Sequence, residues 1–213
     1  MTNEEVSFMN RLITLLILLC VLVVFTAGCH KAEPTTSATN GKIVYQAHWP
    51  HYSAVPALVD AVTDVFTGKI VDIYFEVLDV ETGKVVNAPV EDGWLLLYTI
   101  YEIEIIESYK GNPVERQYIA VMGGVPGYNE PMQIQALKDC GIYDENAEIP
   151  VLANSEVLEM GVEYLFAASD LGVDYLRIPN PEQYAFAIQE DSVGADAMMP
   201  TYESIIQYFE ALA

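Results

Sequence analysis

The sequence predicts a mainly β domain: a small antiparallel sheet curled into a barrel, with a helix near its start and another at its end. Three observations carry this. Apolar and polar residues alternate with a period of two over several segments, five or more such segments follow one another without strict β-α alternation, and helical periodicity flanks them. Curling the sheet removes the exposed edges that an open antiparallel sheet would leave.

The first helix is expected where Val55, Leu58, Val59 and Val62 recur at i, i+3, i+4 and i+7, with Ser53 placed to cap it. The period then changes to two, and Val71, Ile73, Phe75 and Val77 alternate with Asp72, Tyr74 and Glu76 as in a half-buried strand. Glu81-Thr82-Gly83-Lys84 turns the chain, and Pro89 to Gly93 reads as a loop. The surest strand runs from Tyr98 to Ile106, with Thr99, Tyr101, Ile103 and Ile105 on one face and Glu102 and Glu104 on the other. Lys110-Gly111-Asn112-Pro113 breaks it. A third strand spans Gln117 to Met122 and stops at Gly123-Gly124. Pro126 to Ile149 reads as a long connection containing a short helix, Met132 to Asp139. Glu163 to Ala168 and Gln183 to Gln189 supply two more strands. From Pro200 onward, Tyr202, Ile205, Ile206, Phe209 and Leu212 form an apolar stripe expected to cover the sheet.

Ahead of this domain lies an export segment. Thirteen of the fourteen residues from Leu12 to Phe25 are apolar, followed by Thr26-Ala27-Gly28-Cys29. The run is short for a bilayer core of ~30 Å, which asks for roughly 20 apolar residues in a helix, so it reads as a secretory signal. Glu4 and Glu5 offset the positive charge such a signal needs, whereas Met9-Asn10-Arg11 supplies it, which points to translation from Met9. The segment resembles a bacterial lipoprotein signal, with Thr26, Ala27, Gly28 and Cys29 in the lipobox positions and Thr26 standing where Leu is usual. The resemblance implies cleavage after Gly28 and lipid on the Cys29 sulfur, and two or more acyl chains give stable anchoring where one does not. The alternative is an uncleaved N-terminal anchor. The expected organisation is then a signal over 1–28, a lipidated Cys29 with a flexible tether over 29–52, and one domain over 53–213. Polar residues from His30 to Gly41 could hold that domain up to ~40 Å from the membrane.

The chain carries 9 basic and 31 acidic side chains, a formal charge of −22. Without the signal this becomes 8 against 29, near −21, which repels phosphate backbones and excludes nucleic acid as a natural partner. Three cysteines sort simply: Cys20 leaves with the signal, Cys29 takes lipid, and Cys140 stays unpaired. A Cys140 nucleophile would need His48 or His51 as a base, and a buried structural thiol is the expected role.

A second resemblance rests on Ala61-Val62-Thr63-Asp64-Val65-Phe66-Thr67-Gly68-Lys69-Ile70, Tyr98 to Ile105, Tyr109-Lys110-Gly111-Asn112 and Met160-Gly161-Val162-Glu163-Tyr164-Leu165-Phe166. These segments resemble a group of uncharacterised lipoproteins of Gram-positive bacteria, and their order is similar to the OB-like barrel of netrin and tissue-inhibitor-of-metalloproteinase domains. The resemblance implies an OB-like barrel. Inhibition by a free N-terminal Cys is not implied, because Cys29 is expected to be acylated and no disulfide framework exists.

No motif for a serine hydrolase, a zinc protease, a phosphate loop or a dinucleotide fold is present, and no cofactor is expected. Asp139, Asp144, Glu145, Asn146 and Glu148 offer oxygen donors for Ca²⁺ without the spacing of a calcium loop, so a solvated acidic loop is expected. Among fourteen tyrosines, Tyr101, Tyr164 and Tyr184 fall on inward strand positions. Trp49, within His48-Trp49-Pro50-His51-Tyr52, and Trp94 are the candidates for ligand contact. The functional expectation is a lipid-anchored binding or interaction module on the extracytoplasmic face of the cell membrane, with an envelope protein, peptide or glycan as ligand. The alternatives are an envelope hydrolase using acids with Cys140 or a histidine, and a netrin-like inhibitor.

Overall fold

A computed structural model describes residues 35–39, 42–46, 48–91, 93–146, 148–153, 155, 157–188 and 200–213. The elements in chain order are β1 (Thr35–Thr39), β2 (Lys42–Gln46), α1 (Val55–Ala61), β3 (Asp64–Asp79), β4 (Leu95–Lys110), β5 (Arg116–Met122), α2 (Glu130–Asp139), β6 (Val151–Leu152), β7 (Glu163–Ala168), β8 (Leu176–Arg177), β9 (Ala185–Ala187) and α3 (Tyr202–Glu210). The chain is mainly β, as the alternation predicts. All of these elements belong to the unit Pro34–Ala213.

Six strands form one sheet in the order β8-β5-β4-β3-β7-β9, and β1-β2-β6 form a second, smaller one. The expected purely antiparallel sheet is corrected to a mixed one, because β5 pairs with β8, and β2 with β6, in parallel. Parallel neighbours need a long crossover. Here the chain leaves β5 through α2, β6 and β7 before β8 returns beside it. Among the described residues no ladder joins the edge strands β8 and β9, so the large sheet is not a closed barrel. One isolated bridge, Ser169 to Arg177, ties the residue after β7 back to β8.

β3 begins earlier than the alternation alone suggests. Its register against β4 jumps from Ile70↔Ile103 to Asp72↔Glu102, so Val71 is the extra residue of a bulge. That corrects Val71 from an inward position to a half-buried one, and it allows Ile70 and Ile73 both to be buried. Another register shift lies at Thr67/Gly68. A Cβ on Gly68 would sit 2.4 Å from Ile103 Cγ2 and 2.9 Å from the Glu104 carbonyl oxygen, so only glycine permits this approach of β3 to β4. Over Asp64–Lys69, β3 pairs with β7 on its other edge as well.

The main core packs Phe66, Phe75, Leu97, Ile100, Tyr101, Ile103, Ile119, Tyr164, Phe166 and Tyr184 with Leu137 of α2. Phe66 and Phe166 face each other across β3 and β7, ring centroids 5.5 Å apart. The three tyrosines expected inside are there. A separate cluster, Leu58, Val62, Val65, Leu165, Ala167 and Ile205, seats α1 and α3 against β3 and β7. The C-terminal stripe therefore packs on the sheet through Ile205, while Leu212 lies past the helix end and is 67% exposed.

Local signals set the helix ends in ways the sequence only half reveals. Ser53 does not cap α1; Ala54 holds the N-cap position without a side-chain bond, and Pro56 starts the helix by removing a donor that would otherwise lack a partner. At the other end, Lys110 Nζ donates to the carbonyls of Val59 and Val62, 2.6 Å each. α3 starts from a capping box between Thr201 and Ser204.

Of the last expected strand, Ala185–Ala187 pairs with β7 while the Gln183 side chain bonds the Tyr52 backbone, and Gln189 lies outside the described residues. The largest difference lies at the start. Residues 29–52, read as a tether, include the β1–β2 hairpin, and Tyr45 is buried in the main core. Ser, Thr and Pro content marks a segment that cannot bury itself, but Val44 and Tyr45 find a partner in β6.

Candidate ligand pocket

The loop between Met122 and α2 is held by one buried side chain. Gln133 Nε2 donates to the carbonyls of Val125, 2.8 Å, and Tyr128, 2.5 Å, while its Oε1 accepts from the Val125 amide at 3.1 Å. Gly124 makes room for it, since a Cβ there would lie 2.1 Å from Gln133 Oε1. With α2 fixed in this way, Ile134 and Leu137 form one wall of a pocket of ≈ 200 Å³. Tyr45 of β2 and Leu95 and Leu96 of β4 form further walls, and the returning segment supplies Ile142, Tyr143, Asp144, Glu148, Ile149 and Pro150.

The lining is largely aliphatic, and its only ionisable carboxylates, Asp144 and Glu148, are exposed. No Lys, Arg or His lines it among the described residues. Burial pushes the Tyr45 phenol up to about 12, against a hydrogen bond from the Leu97 backbone that pulls it down, so the hydroxyl keeps its proton at neutral pH. Lys138 Nζ stands 4.9 Å from the centroid of the Tyr143 ring, a cation–π contact at the pocket's border. Asp144 also ends a local turn, its Oδ1 accepting from the Asn146 backbone at 2.8 Å and from the Asn146 side chain at 3.2 Å.

A second pocket, ≈ 260 Å³, lies on the other side of α2 and includes Phe75, Glu76, Val86, Gln135, Asp139 and Cys140. Cys140 is 3% exposed and its Sγ donates to the Val86 carbonyl at 2.9 Å. Burial, then the Asp139 charge, raises its pKa, the opposite of what a nucleophile needs. Neither His48 nor His51 lines this pocket; both are exposed. The expected structural role for Cys140 agrees with this environment.

A third group, not singled out in the sequence, gathers phenols around the Glu76 carboxylate from β3, β5 and Tyr175, the residue before β8. The Tyr175 hydroxyl donates to the Glu76 carboxylate, and Tyr118 meets the Tyr175 ring edge-on at 6.4 Å. Burial, with the Glu76 charge, lifts Tyr74 to about 12 even though a hydrogen bond with Tyr175 opposes it; burial and the Glu76 bond lift Tyr175 further. Beside this group the Arg177 guanidinium lies 5.0 Å from the centroid of the Tyr98 ring, and Arg116 pairs with Glu102. These are mutually satisfied contacts that brace β3, β4, β5 and β8.

Trp49 and Trp94 are both half-buried, and neither lines the ≈ 200 Å³ pocket. The Trp94 carbonyl accepts from the Val80 amide at 2.8 Å, which makes its position a strand junction. The Trp49 indole Nε1 is shielded from solvent and has no hydrogen-bond partner among the described residues. Its neighbours hold the chain in place: Asn180 Nδ2 donates to the Pro50 carbonyl, and Gln183 bonds both backbone groups of Tyr52. Gly28 and Cys29, with Met9 and the apolar run, lie outside the described residues. Within 139–148, and among the described residues generally, no three His, Cys, Asp or Glu side chains group in a way that could hold a metal ion. No described helix is long and apolar enough to cross a membrane.

The pocket escaped the sequence reading because its walls come from four separate stretches of chain: Tyr45, Leu95 and Leu96, Ile134 and Leu137, and residues 142–144 with 148–150. A faint signal existed in Ile142 and Ile149, apolar residues inside an otherwise acidic loop. No protein-family model matches the chain, and no curated protein matches it in sequence.

Proposed function

We propose that the chain is a lipid-anchored binding module on the extracytoplasmic face of a bacterial cell membrane, with an OB-like, incompletely closed barrel as its scaffold. The observation that carries the binding reading is the largely aliphatic pocket of ≈ 200 Å³ with carboxylates at its mouth, walled by β2, β4, α2 and the segment that leads into β6. The barrel reading draws on three features: the order β8-β5-β4-β3-β7, the parallel β5–β8 pair, and the Ser169–Arg177 bridge that ties β8 to the chain just beyond β7. The anchoring reading draws on the apolar run and the Thr26-Ala27-Gly28-Cys29 sequence.

The hairpin sharpens the geometry this reading implies. Five residues, His30 to Pro34, separate Cys29 from β1. At ~3.3 Å per residue they reach at most about 17 Å, under half the distance the longer tether would allow. The module is held close to the bilayer.

Replacing Cys29 by Ala tests the anchor. The variant is expected to leave the membrane fraction and to stop incorporating a labelled fatty acid. Retention of Cys29→Ala in the membrane at the wild-type level would overturn lipid anchoring and leave the apolar run as an uncleaved anchor.

A further inference from the structure

The binding reading leaves the ligand's chemistry open, and the pocket's own groups narrow it. Its walls present Leu95, Leu96, Ile134, Leu137 and Ile149, which reward an apolar body. A dry cavity of ~150 Å³ takes a benzene-sized molecule, so this slightly larger space suits roughly ten non-hydrogen atoms. Asp144 and Glu148 are the charged groups among the described lining residues, and the nearest basic group described there, Lys138, stands at the border over the Tyr143 ring. Around the site the whole chain is strongly acidic, with a formal charge of −22. With two carboxylates against one ammonium at the mouth and a strongly acidic chain around it, the net field repels an anion and steers a cation inward. At the border Lys138 Nζ covers the Tyr143 ring at 4.9 Å, so that face is taken by the chain's own ammonium, one positive charge beside the two carboxylates.

Resting on the binding-module reading, we propose that this pocket takes a small organic cation, an apolar body inserted between β4 and α2 with its ammonium group held by Asp144 and Glu148. Charge, not shape, is the selective element, because an aliphatic wall accepts any apolar body of suitable size.

The test compares three probes that share one body and differ in charge: 2-phenylethylammonium, 2-phenylethanol and phenylacetate. Each is titrated into the full-length chain in phosphatidylcholine vesicles, with empty vesicles as reference, and binding is followed by ligand-observed NMR. The ammonium is expected to bind saturably and about tenfold more tightly than the alcohol, the scale of two partly exposed carboxylates, and phenylacetate more weakly than either. Asp144→Asn combined with Glu148→Gln is expected to bring the ammonium down to the alcohol's affinity and leave the alcohol unchanged. Ile142→Trp, which adds bulk at an exposed lining position, is expected to abolish binding of both, and Ile134→Trp repeats that test from the opposite wall. Circular dichroism checks that each variant is folded. Equal affinity for ammonium and alcohol, or a preference that survives the carboxylate substitutions, overturns the cation assignment while the blocked alcohol binding leaves the module reading intact. Absence of saturable binding by all three probes overturns both.

Discussion

Lys110 shows how one side chain can serve two elements. It is the last residue of β4, yet its ammonium reaches the open carbonyls of Val59 and Val62 at the C-terminus of α1, where the helix dipole also favours positive charge. Lys110→Met keeps the aliphatic stem and removes both charge-assisted bonds, so a loss of about 1.5–3 kcal/mol is expected in urea unfolding. A midpoint and slope identical to wild type would show that water replaces the lysine at no cost. In the sequence Lys110 is legible only as the start of a turn with Gly111, because its partners lie some fifty residues away. Trp49 is the converse case: its neighbourhood in sequence suggested an exposed aromatic, whereas its indole nitrogen is shielded from solvent. Asn180 and Gln183, which bond the residues beside it, carried no local signal of that role.

Among the elements, α1 and α3 form a second apolar cluster with β3 and β7, apart from the main core. Ile205 is its fully buried residue from α3. Ile205→Ala is expected to cost about 2–4 kcal/mol through lost burial and a residual cavity. Native-state hydrogen exchange should then show the α1 and α3 amides opening before those of β3 and β4, since few other contacts hold the two short helices. Uniform acceleration across the sheet would mean that the clusters unfold as one unit. The period-3.6 stripes that locate these helices are plain in the sequence, as are the strand cores of β4, β5 and β7. The Val71 bulge is not, because a bulge is fixed by the register of the partner strand; Val71 still alternates correctly with Ile73 on its own chain. β8, two residues long, exists only through its neighbours β5 and Ser169.

At the scale of the whole molecule, tyrosine burial sets a pH limit. Burial is the leading cause that raises Tyr45, Tyr74 and Tyr109 from the ordinary 10.0 to about 12, and it raises Tyr98 and Tyr175 as well. A phenol that binds its proton more tightly when folded contributes stability that is complete below pH 10, the unfolded value, and is lost as pH climbs through the folded value. Unfolding is therefore expected between about pH 10 and 12, with phenolate absorbance and circular dichroism changing together in one cooperative step. Graded ionisation of all fourteen tyrosines with the fold intact would contradict this burial pattern. Legible from the chain alone are the mainly β class, the positions of the principal strands and turns, the acidic charge that sets the field, and the apolar run with its Cys29. Each depends on residues close together in the chain or on a simple sum over it. The tertiary structure decided the mixed sheet, the N-terminal hairpin and the pocket that joins Tyr45, Leu95, Ile134 and Ile149. Those arise from packing between distant segments, and a local period of two or 3.6 tells which side of an element is apolar without telling which other element will cover it.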